Sequence, residues 1–540
     1  MNPPMRPRSP SRSLTLAWCA AVLAAPVACN AGGTSNAETD APAGTEDTSA
    51  SSDPSAATTG TPSPDTDASS SDPGTTETSA DGSSGPAEST STDDGGTTGA
   101  PAGCDDDDCD GATQWNRRFG AVVSESGREA VEHIAAMPDG GAVIVGRIGE
   151  WASFDDLGIV SAPAGFVVRV DPDGTAVWLR EIQAEGTLLF DDIVSDADGN
   201  LVITGGAYGD LDIETQTLAH DDLNWGPFVL GLDADGGDRF AIRPSGGAYG
   251  EAQLAMAADG KFGFVASLAG GIDIDGTAVS SNAGSEDFFA VVFDSDGEVR
   301  WARAYGGDNL ERGTGAAFDA AGDLYVTGNS VGPVDFGFGA LRDLGYSVTI
   351  AKLAGDDGEP QWARQFGSHL GTPRLAGDGG RVFLATDGTG YLSTVDFGTG
   401  SVEGFYFLAA FDATGTTTWA RGFGDDYVIG GAPGVAAAGT DVVVALGVTD
   451  GVDLGDGVLA SGTGTFVAKY GGDDGTLLWA RTATGDGYQA ANDVAALPDG
   501  RSFVGGEIVD AMDFGIGPLE PTGPGVALYN ADGYVVALAP

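Results

Sequence analysis

An all-β fold built from one repeated unit of four short strands is what this sequence predicts, on three observations. The first is a recurring Gly-x-x-x-Trp frame, at Gly174/Trp178, Gly297/Trp301, Gly358/Trp362, Gly415/Trp419 and Gly475/Trp479, with Phe240 after Gly236 and Ala537 after Gly533 in the same frame. Its steps are about 60 residues, and a fixed period of that kind marks a repeat architecture. The second is that the runs between turns are short, β-branched and aromatic, and are bounded by Gly and Asp. The third is that no long stretch carries apolar residues at i, i+3 and i+4, so helix should be scarce.

Each unit has four parts. An apolar stretch ends in a turn, as in Ile134-Ala-Ala-Met-Pro-Asp139-Gly140 and Val494-Ala-Ala-Leu-Pro-Asp499-Gly500. A second run closes on glycine, as in Ala142-Val-Ile-Val-Gly146, Leu201-Val-Ile-Thr-Gly205 and Leu324-Tyr-Val-Thr-Gly328. A third run is Phe166-Val-Val-Arg-Val170, matched by Phe288-Phe-Ala-Val-Val-Phe293 and Phe466-Val-Ala-Lys-Tyr470. The fourth follows an Asp-Gly turn and carries the tryptophan, as in Trp301-Ala-Arg-Ala-Tyr-Gly306 and Trp419-Ala-Arg-Gly-Phe-Gly424.

A lone four-stranded sheet cannot bury both faces, but a ring of them can, and closure protects the edges. Four strands repeated seven times predict a seven-bladed β-propeller of four-stranded antiparallel blades over residues 112–540. A β-helix would need much shorter repeats. The tryptophans suit the space between adjacent blades, where burial contributes on the order of 2–3 kcal/mol each. Two segments compete for the last place in the ring. Trp115-Asn-Arg-Arg-Phe-Gly120 reads as a fourth strand that precedes the first full unit. Tyr534-Val-Val-Ala-Leu538 ends the last unit and lacks Trp. The expectation is that Trp115 joins the C-terminal blade as a clasp, with the final strand outside it or at the rim.

The units resemble the bacterial seven-bladed β-propeller (SBBP-type) repeat family, most closely at 321–328 (AGDLYVTG) and 466–479 (FVAKYGGDDGTLLW). That resemblance implies the fold and leaves function open, because propellers host unrelated activities. Ala410-Phe-Asp412-Ala-Thr-Gly415-Thr-Thr-Thr-Trp419 also resembles the tryptophan-docking motif of quinoprotein dehydrogenases, one residue shorter. In those proteins the motif holds blades together. The vicinal cysteine pair of several such enzymes is missing from the repeat region.

The N-terminus reads as an export signal over 1–28. Arg6, Arg8 and Arg12 precede an apolar run from Leu14 to Ala25, too short to span a bilayer. Pro26-Val27-Ala28-Cys29-Asn30 resembles a bacterial lipobox, which implies lipidation of Cys29 and, with Asn30 following, an outer-membrane or cell-surface address in a Gram-negative bacterium. The rival reading is a secretory signal cut near Ala28 that frees the protein. Residues 29–111 are rich in Ser, Thr, Asp, Gly, Ala, Pro and Glu, with little to bury, so a disordered acidic tether is expected. Cys104-Asp-Asp-Asp-Asp-Cys109 could close a small disulfide loop in an exported protein. Its carboxylates read as a solvated run.

Acidic residues outnumber basic ones 80 to 24, for a net charge of −56. Such a field repels phosphate backbones, so nucleic acid is excluded as a partner class. Asp-x-Asp-Gly at 171–174, 196–199, 233–236 and 294–297 fits hairpin turns, and no distal Glu completes a calcium loop. A second acidic mark, at Asp212, Asp273, Asp335, Asp396, Asp453 and Asp513, lies in the long connections. It reads as loop structure; facing a channel, these carboxylates would instead form a cation ring. Ser330 sits in a Gly-x-Ser-x-Gly string, but no helix follows to make a nucleophile elbow. His133, His220 and His369 stand in different units without metal-ligand spacing and read as surface or turn residues.

No catalytic, cofactor or metal residue is therefore assigned. The expected role is a monomeric, non-catalytic scaffold binding a protein, glycan or small ligand. The alternatives are a quinoprotein-like or hydrolytic enzyme with its site at the channel mouth, and a calcium-dependent adhesion module.

Overall fold

The structure, a computed structural model, describes residues 110–540 except 120–128, 150, 155–156, 162–163, 221–224, 248–249, 251, 283–285, 368–369, 389–392, 425–432, 449–452, 454–462, 486–488 and 522–530. All of them lie in one compact unit, Asp94–Pro540. Cys29, the Cys104/Cys109 pair and His369 fall outside the described residues. Among those residues, no helix is long and apolar enough to cross a membrane.

The described chain is all β, and its strands pair antiparallel throughout. Sheets with a four-stranded core follow one another along the sequence. Sheet I runs from Ala130–Ala136 through Ala142–Ile148 and Ala164–Val170 to Ala176–Ala184, and the short strands Leu211–Asp212 and Thr217–Leu218 extend its edge to six. Sheets II to VI open on Leu188–Ser195, Gln253–Met256, Glu311–Phe318, Arg374–Gly377 and Gly434–Ala438. Sheet VII opens on Gln489–Ala496 and continues with Ser502–Ile508 and Asp532–Leu538. Its fourth strand is Thr113–Phe119, from the other end of the described chain.

The N-terminal strand thus takes the clasp position, but the final strand does not lie outside it. Asp532–Leu538 is the third strand of sheet VII, paired with Ser502–Ile508 on one side and Thr113–Phe119 on the other. Ala537 is therefore no counterpart of the tryptophans; the Gly-x-x-x-Trp frame of this sheet is Gly111 to Trp115.

Period-two alternation explains the core. Ala142 and Ile144 face the cluster shared with sheet VII, while Val143 and Val145 on the same strand face sheet II. Both faces of the inner strands are buried this way, so they read as nearly continuous apolar runs. Each first strand touches the first strand of the next sheet, and that of sheet VII touches that of sheet I.

The tryptophans act between sheets. Trp419 of sheet V is 7% exposed and lies against Gly475, in the turn before the fourth strand of sheet VI. A Cβ at Gly475 would stand 2.7 Å from that ring, and its φ of 67° is left-handed, so only glycine fits. The indole Nε1–H donates to Gly472 O at 2.8 Å. The same packing of a ring on a glycine joins Trp115 to Gly174, Trp178 to Gly236, Phe240 to Gly297, Trp301 to Gly358, Trp362 to Gly415 and Trp479 to Gly111.

Candidate functional site

The first strands meet one another, so their polar side chains are the ones that converge. One frame position carries them: the residue just before the apolar Ile134, Ile193, Leu254, Ala316, Leu375, Val435 and Val494. It holds His133, Asp192, Gln253, Gly315, Arg374, Gly434 and Asp493. In four of the strands a register shift falls immediately before it, between Val131/His133, Phe190/Asp192, Gly313/Gly315 and Ala491/Asp493. Such bulges re-aim the side chains that follow. Three of the extra residues bridge to the adjacent sheet. Glu132 accepts from Phe190 N–H, Thr314 donates to Pro373 O, and Asn492 Nδ2 donates to Val131 O.

His133, Asp192 and Asp493 form a cluster drawn from sheets I, II and VII. His133 Nδ1 is 3.3 Å from Asp493 Oδ2 and 3.9 Å from Asp192 Oδ1. Their side chains are only 12%, 19% and 12% exposed, in the order His133, Asp493, Asp192. Main-chain donors fix both carboxylates: Ile134 and Val494 N–H reach Asp493, while Ile193 and Leu254 N–H reach Asp192.

Burial, with the Asp493 charge beside it, pushes the Asp192 carboxyl up to about 6, although His133 and Arg374 pull the other way. For His133 burial alone would lower the pKa, but the Asp493 hydrogen bond and the two carboxylate charges outweigh it and raise it. One donor atom from each of the three residues lies within 4.8 Å of the others, a set that could hold a borderline divalent metal. The positive field of Arg374 acts on the same groups, so the cluster already carries an internal counter-charge.

Gln253 completes this level. Its Oε1 accepts from Ala316 and Leu375 N–H, both at 3.1 Å, and its Nε2 donates to Leu375 O. One side chain thereby links sheets III, IV and V. It can do so because Gly315 stands in between: a Cβ there would lie 3.1 Å from Gln253 Oε1 and 3.3 Å from Arg374 Cα.

His133 therefore departs from the surface or turn expectation; it is a half-buried strand residue at the meeting of the first strands. Its signal was its place before Ile134, equivalent to Asp192 and Asp493, which histidine spacing alone does not reveal. His220 lies in an irregular stretch after Thr217–Leu218, and its N–H reaches Asp210. The Asp-x-Asp-Gly segments are turns: Asp171 Oδ1 accepts from Asp173 and Thr175 N–H, and Gly174 N–H bonds back to Asp171 O.

Five residues of the second acidic mark are tied to main-chain donors of their own loops. Asp335, Asp396 and Asp513 each accept from two glycine N–H groups of their own loop, and Asp212 and Asp273 from one N–H each. Ser330 is fully buried in a strand, hydrogen-bonded to Ser347 and Thr349, with Gln365 donating to it.

No protein-family model matches the sequence, and no curated protein matches it. Solved structures do resemble it. A quinohemoprotein alcohol dehydrogenase from Comamonas testosteroni is 11% identical over 76% of each chain, with a TM-score of 0.34. A chain of a mitotic checkpoint complex is 10% identical over 76% of this chain and 93% of its own, with a TM-score of 0.36. A protein of unknown function from Dyadobacter fermentans is 13% identical over 78% of this chain and 99% of its own, with a TM-score of 0.32. No activity is carried over from likenesses of this size.

Proposed function

We propose that the sheets close into one seven-bladed β-propeller, and that this propeller is a non-catalytic binding scaffold held at the cell surface by a lipid on Cys29. The blade count is supported by the circuit of first-strand contacts and by the seven ring-on-glycine contacts that follow the same circuit.

One observation carries the scaffold reading. The polar side chains that converge where the first strands meet are spent on neighbouring strands. Asp192, Gln253 and Asp493 all take main-chain N–H groups, and Gln253 spans three sheets. The surface left for recognition is the hairpins between second and third strands. Phe338 and Ile516 stand on two of them, 55% and 46% exposed. A protein, glycan or small ligand would be read by these unit-specific loops, with residues 29–111 between the lipid and the propeller.

The test is capture of partners from cell envelopes by the full-length protein, in parallel with Phe338→Ala/Ile516→Ala and Asp192→Asn/Asp493→Asn. Capture lost in the first pair and kept in the second supports the scaffold. Turnover of a substrate that vanishes with the Asp pair would favour the enzyme reading instead. Cys29→Ser should abolish incorporation of labelled fatty acid.

A further inference from the structure

A buried carboxylate needs a hydrogen-bond donor or a cation for each oxygen, because desolvation without one is costly. The seam between sheets III and IV buries two carboxylates side by side. Asp287, on the third strand of sheet III, and Glu311, which opens the first strand of sheet IV, are both 0% exposed. One oxygen of each is satisfied: Asp287 Oδ2 accepts from Asn282 N–H, and Glu311 Oε2 from Gly307 N–H. Among the described residues, Asp287 Oδ1 and Glu311 Oε1 have no hydrogen-bond partner. Arg312, next in sequence, is turned to Glu286.

The two side chains converge at Gly306. A Cβ there would stand 2.5 Å from Asp287 Oδ1 and 2.8 Å from Glu311 Oε2. Main-chain oxygen is close as well: a Cβ at Gly307 would lie 3.1 Å from Pro333 O and 3.9 Å from Glu311 Oε1. The acceptor atoms that these contacts bring together, Asp287 Oδ1, both Glu311 oxygens and Pro333 O, are all oxygen.

The repeat supplies an internal comparison. By strand register, Asp287 and Glu311 correspond to Asp532 and Glu129 at the seam between sheets VII and I, also buried. There the fourth strand contributes a cation, with Arg118 Nη1 2.6 Å from Asp532 Oδ2. Arg118 stands three residues after Trp115; three residues after Trp301 stands Ala304. At the seam between sheets I and II the same two places hold Ala164 and Leu188, both buried. The paired carboxylates are thus no requirement of the fold. Of the two seams that carry them, one has a built-in arginine and the other lacks it. The cluster around His133 differs again, because Arg374 already offsets its charge.

We propose that the seam between sheets III and IV binds a calcium ion, with Asp287 and Glu311 as its carboxylate ligands. The all-oxygen donor set selects a hard cation, and the mixture of carboxylate and main-chain oxygen in an irregular corner suits calcium better than the strict octahedron of magnesium. Asn282, whose N–H donates to Asp287, also lines a surface depression with Arg303, Ala304, Tyr305 and Asp335. The ion would do for sheets III and IV what Arg118 does for sheets VII and I. This site is independent of the scaffold reading.

The experiment uses the full-length protein, stripped with chelator and titrated with calcium or magnesium chloride, read by calorimetry and by thermal unfolding. The expected result is calcium binding with a rise in Tm that grows with the logarithm of calcium concentration. Asp287→Asn/Glu311→Gln keeps the carbonyl oxygens that accept from Asn282 and Gly307. It should fold, weaken this binding event at least tenfold, and leave Tm indifferent to calcium. Ala304→Arg, which restores the arginine of the other seam, should also remove the calcium response. Calcium binding unchanged in both variants would overturn the proposal and assign the binding to the acidic turns or to residues 29–111. So would the absence of any Tm response to millimolar calcium in the stripped wild-type protein.

Discussion

Trp479, in the fourth strand of sheet VI, packs on Gly111, at the start of the described chain, with 2.6 Å between the ring and the place a Cβ would take. The contact repeats what Trp419 does to Gly475, but here its two halves come from opposite ends of the sequence. Among the described residues, the strand that follows Gly111 is the one paired with the edge of Asp532–Leu538 that faces away from Ser502–Ile508.

Gly111→Val should therefore open the clasp before it unfolds the chain. The substituted residue would need a φ near 68° and would press on Trp479, a cost of about 1–3 kcal/mol from overpacking alone. The expected result is faster proteolysis within residues 110–119 with the other sheets intact. Deleting residues 110–119 bares a strand edge, which invites pairing between chains. Size-exclusion chromatography should then show more association than the intact protein does. A truncated chain that stays monomeric with an unchanged melting curve would show that the clasp carries no weight.

The His133 cluster makes stability depend on pH, with both groups acting in one direction. His133 has a raised pKa, so folding takes up a proton. Its contribution is whole below the unfolded value near 6.5 and is lost as pH rises through the folded value. Asp192, raised to about 6 from 3.8, also takes up a proton on folding. Its penalty is absent below pH 3.8 and complete above about 6. From these groups alone the chain loses stability as pH climbs from 4 past neutrality. In Asp493→Asn, His133 should titrate at lower pH by NMR. Equal titration of His133 in both proteins would separate the two residues.

The lysines offer a sharper stability test. Lys352 Nζ is 2.7 Å from Asp319 and 3.2 Å from Asp323, with the Lys352 and Asp319 side chains 8% and 7% exposed. Lys469 reaches only Asp441, at 3.6 Å. Lys352→Met leaves Asp319 buried without its cation, which typically costs about 3–5 kcal/mol. Lys469→Met should cost clearly less. Chemical denaturation of the two variants measures the difference, and equal losses would contradict it. Asp323 has a lowered pKa, from its bonds to Gln361, Gly355 and Lys352 outweighing burial. Its stabilisation is present above pH 3.8 and fades as pH falls below that, and Lys352→Met should weaken this acid-side slope.

The Gly-x-x-x-Trp spacing made the repeat legible because a ring and a left-handed glycine must recur wherever one sheet packs on the next. Trp301 and Gly358 were each visible as frame positions, although only the structure shows that the one packs on the other. The last sheet was harder. Gly533 precedes Ala537 by chance of composition, and only strand pairing shows that Asp532–Leu538 holds a third place. The converging polar residues were hidden for a different reason. His133, Asp192, Gln253 and Arg374 are unlike in type, and bulges of one residue shift their frame in some strands and not in others. No residue-type motif survives that. Asp287 and Glu311 were invisible because nothing in either local string tells a buried carboxylate from the many exposed ones.

Gly315 is where that hidden layer can be tested without touching a charge. It separates Gln253 from Arg374, and the Gln253 amide crosses it to reach Leu375. Gly315→Ala would set a methyl 2.4 Å from Thr327 Cγ2 and 3.1 Å from Gln253 Oε1. If the side chain of Gln253 is displaced, the N–H groups of Ala316 and Leu375 lose their acceptor, at about 1–3 kcal/mol for a buried donor left unmade. Gln253→Ala removes the same acceptor without the clash. The two variants should lose similar stability, and the double variant little more than either, because the second change removes a bond already broken. Full additivity in chemical denaturation would mean that Gly315 is needed for backbone packing on Thr327 and not to let Gln253 pass.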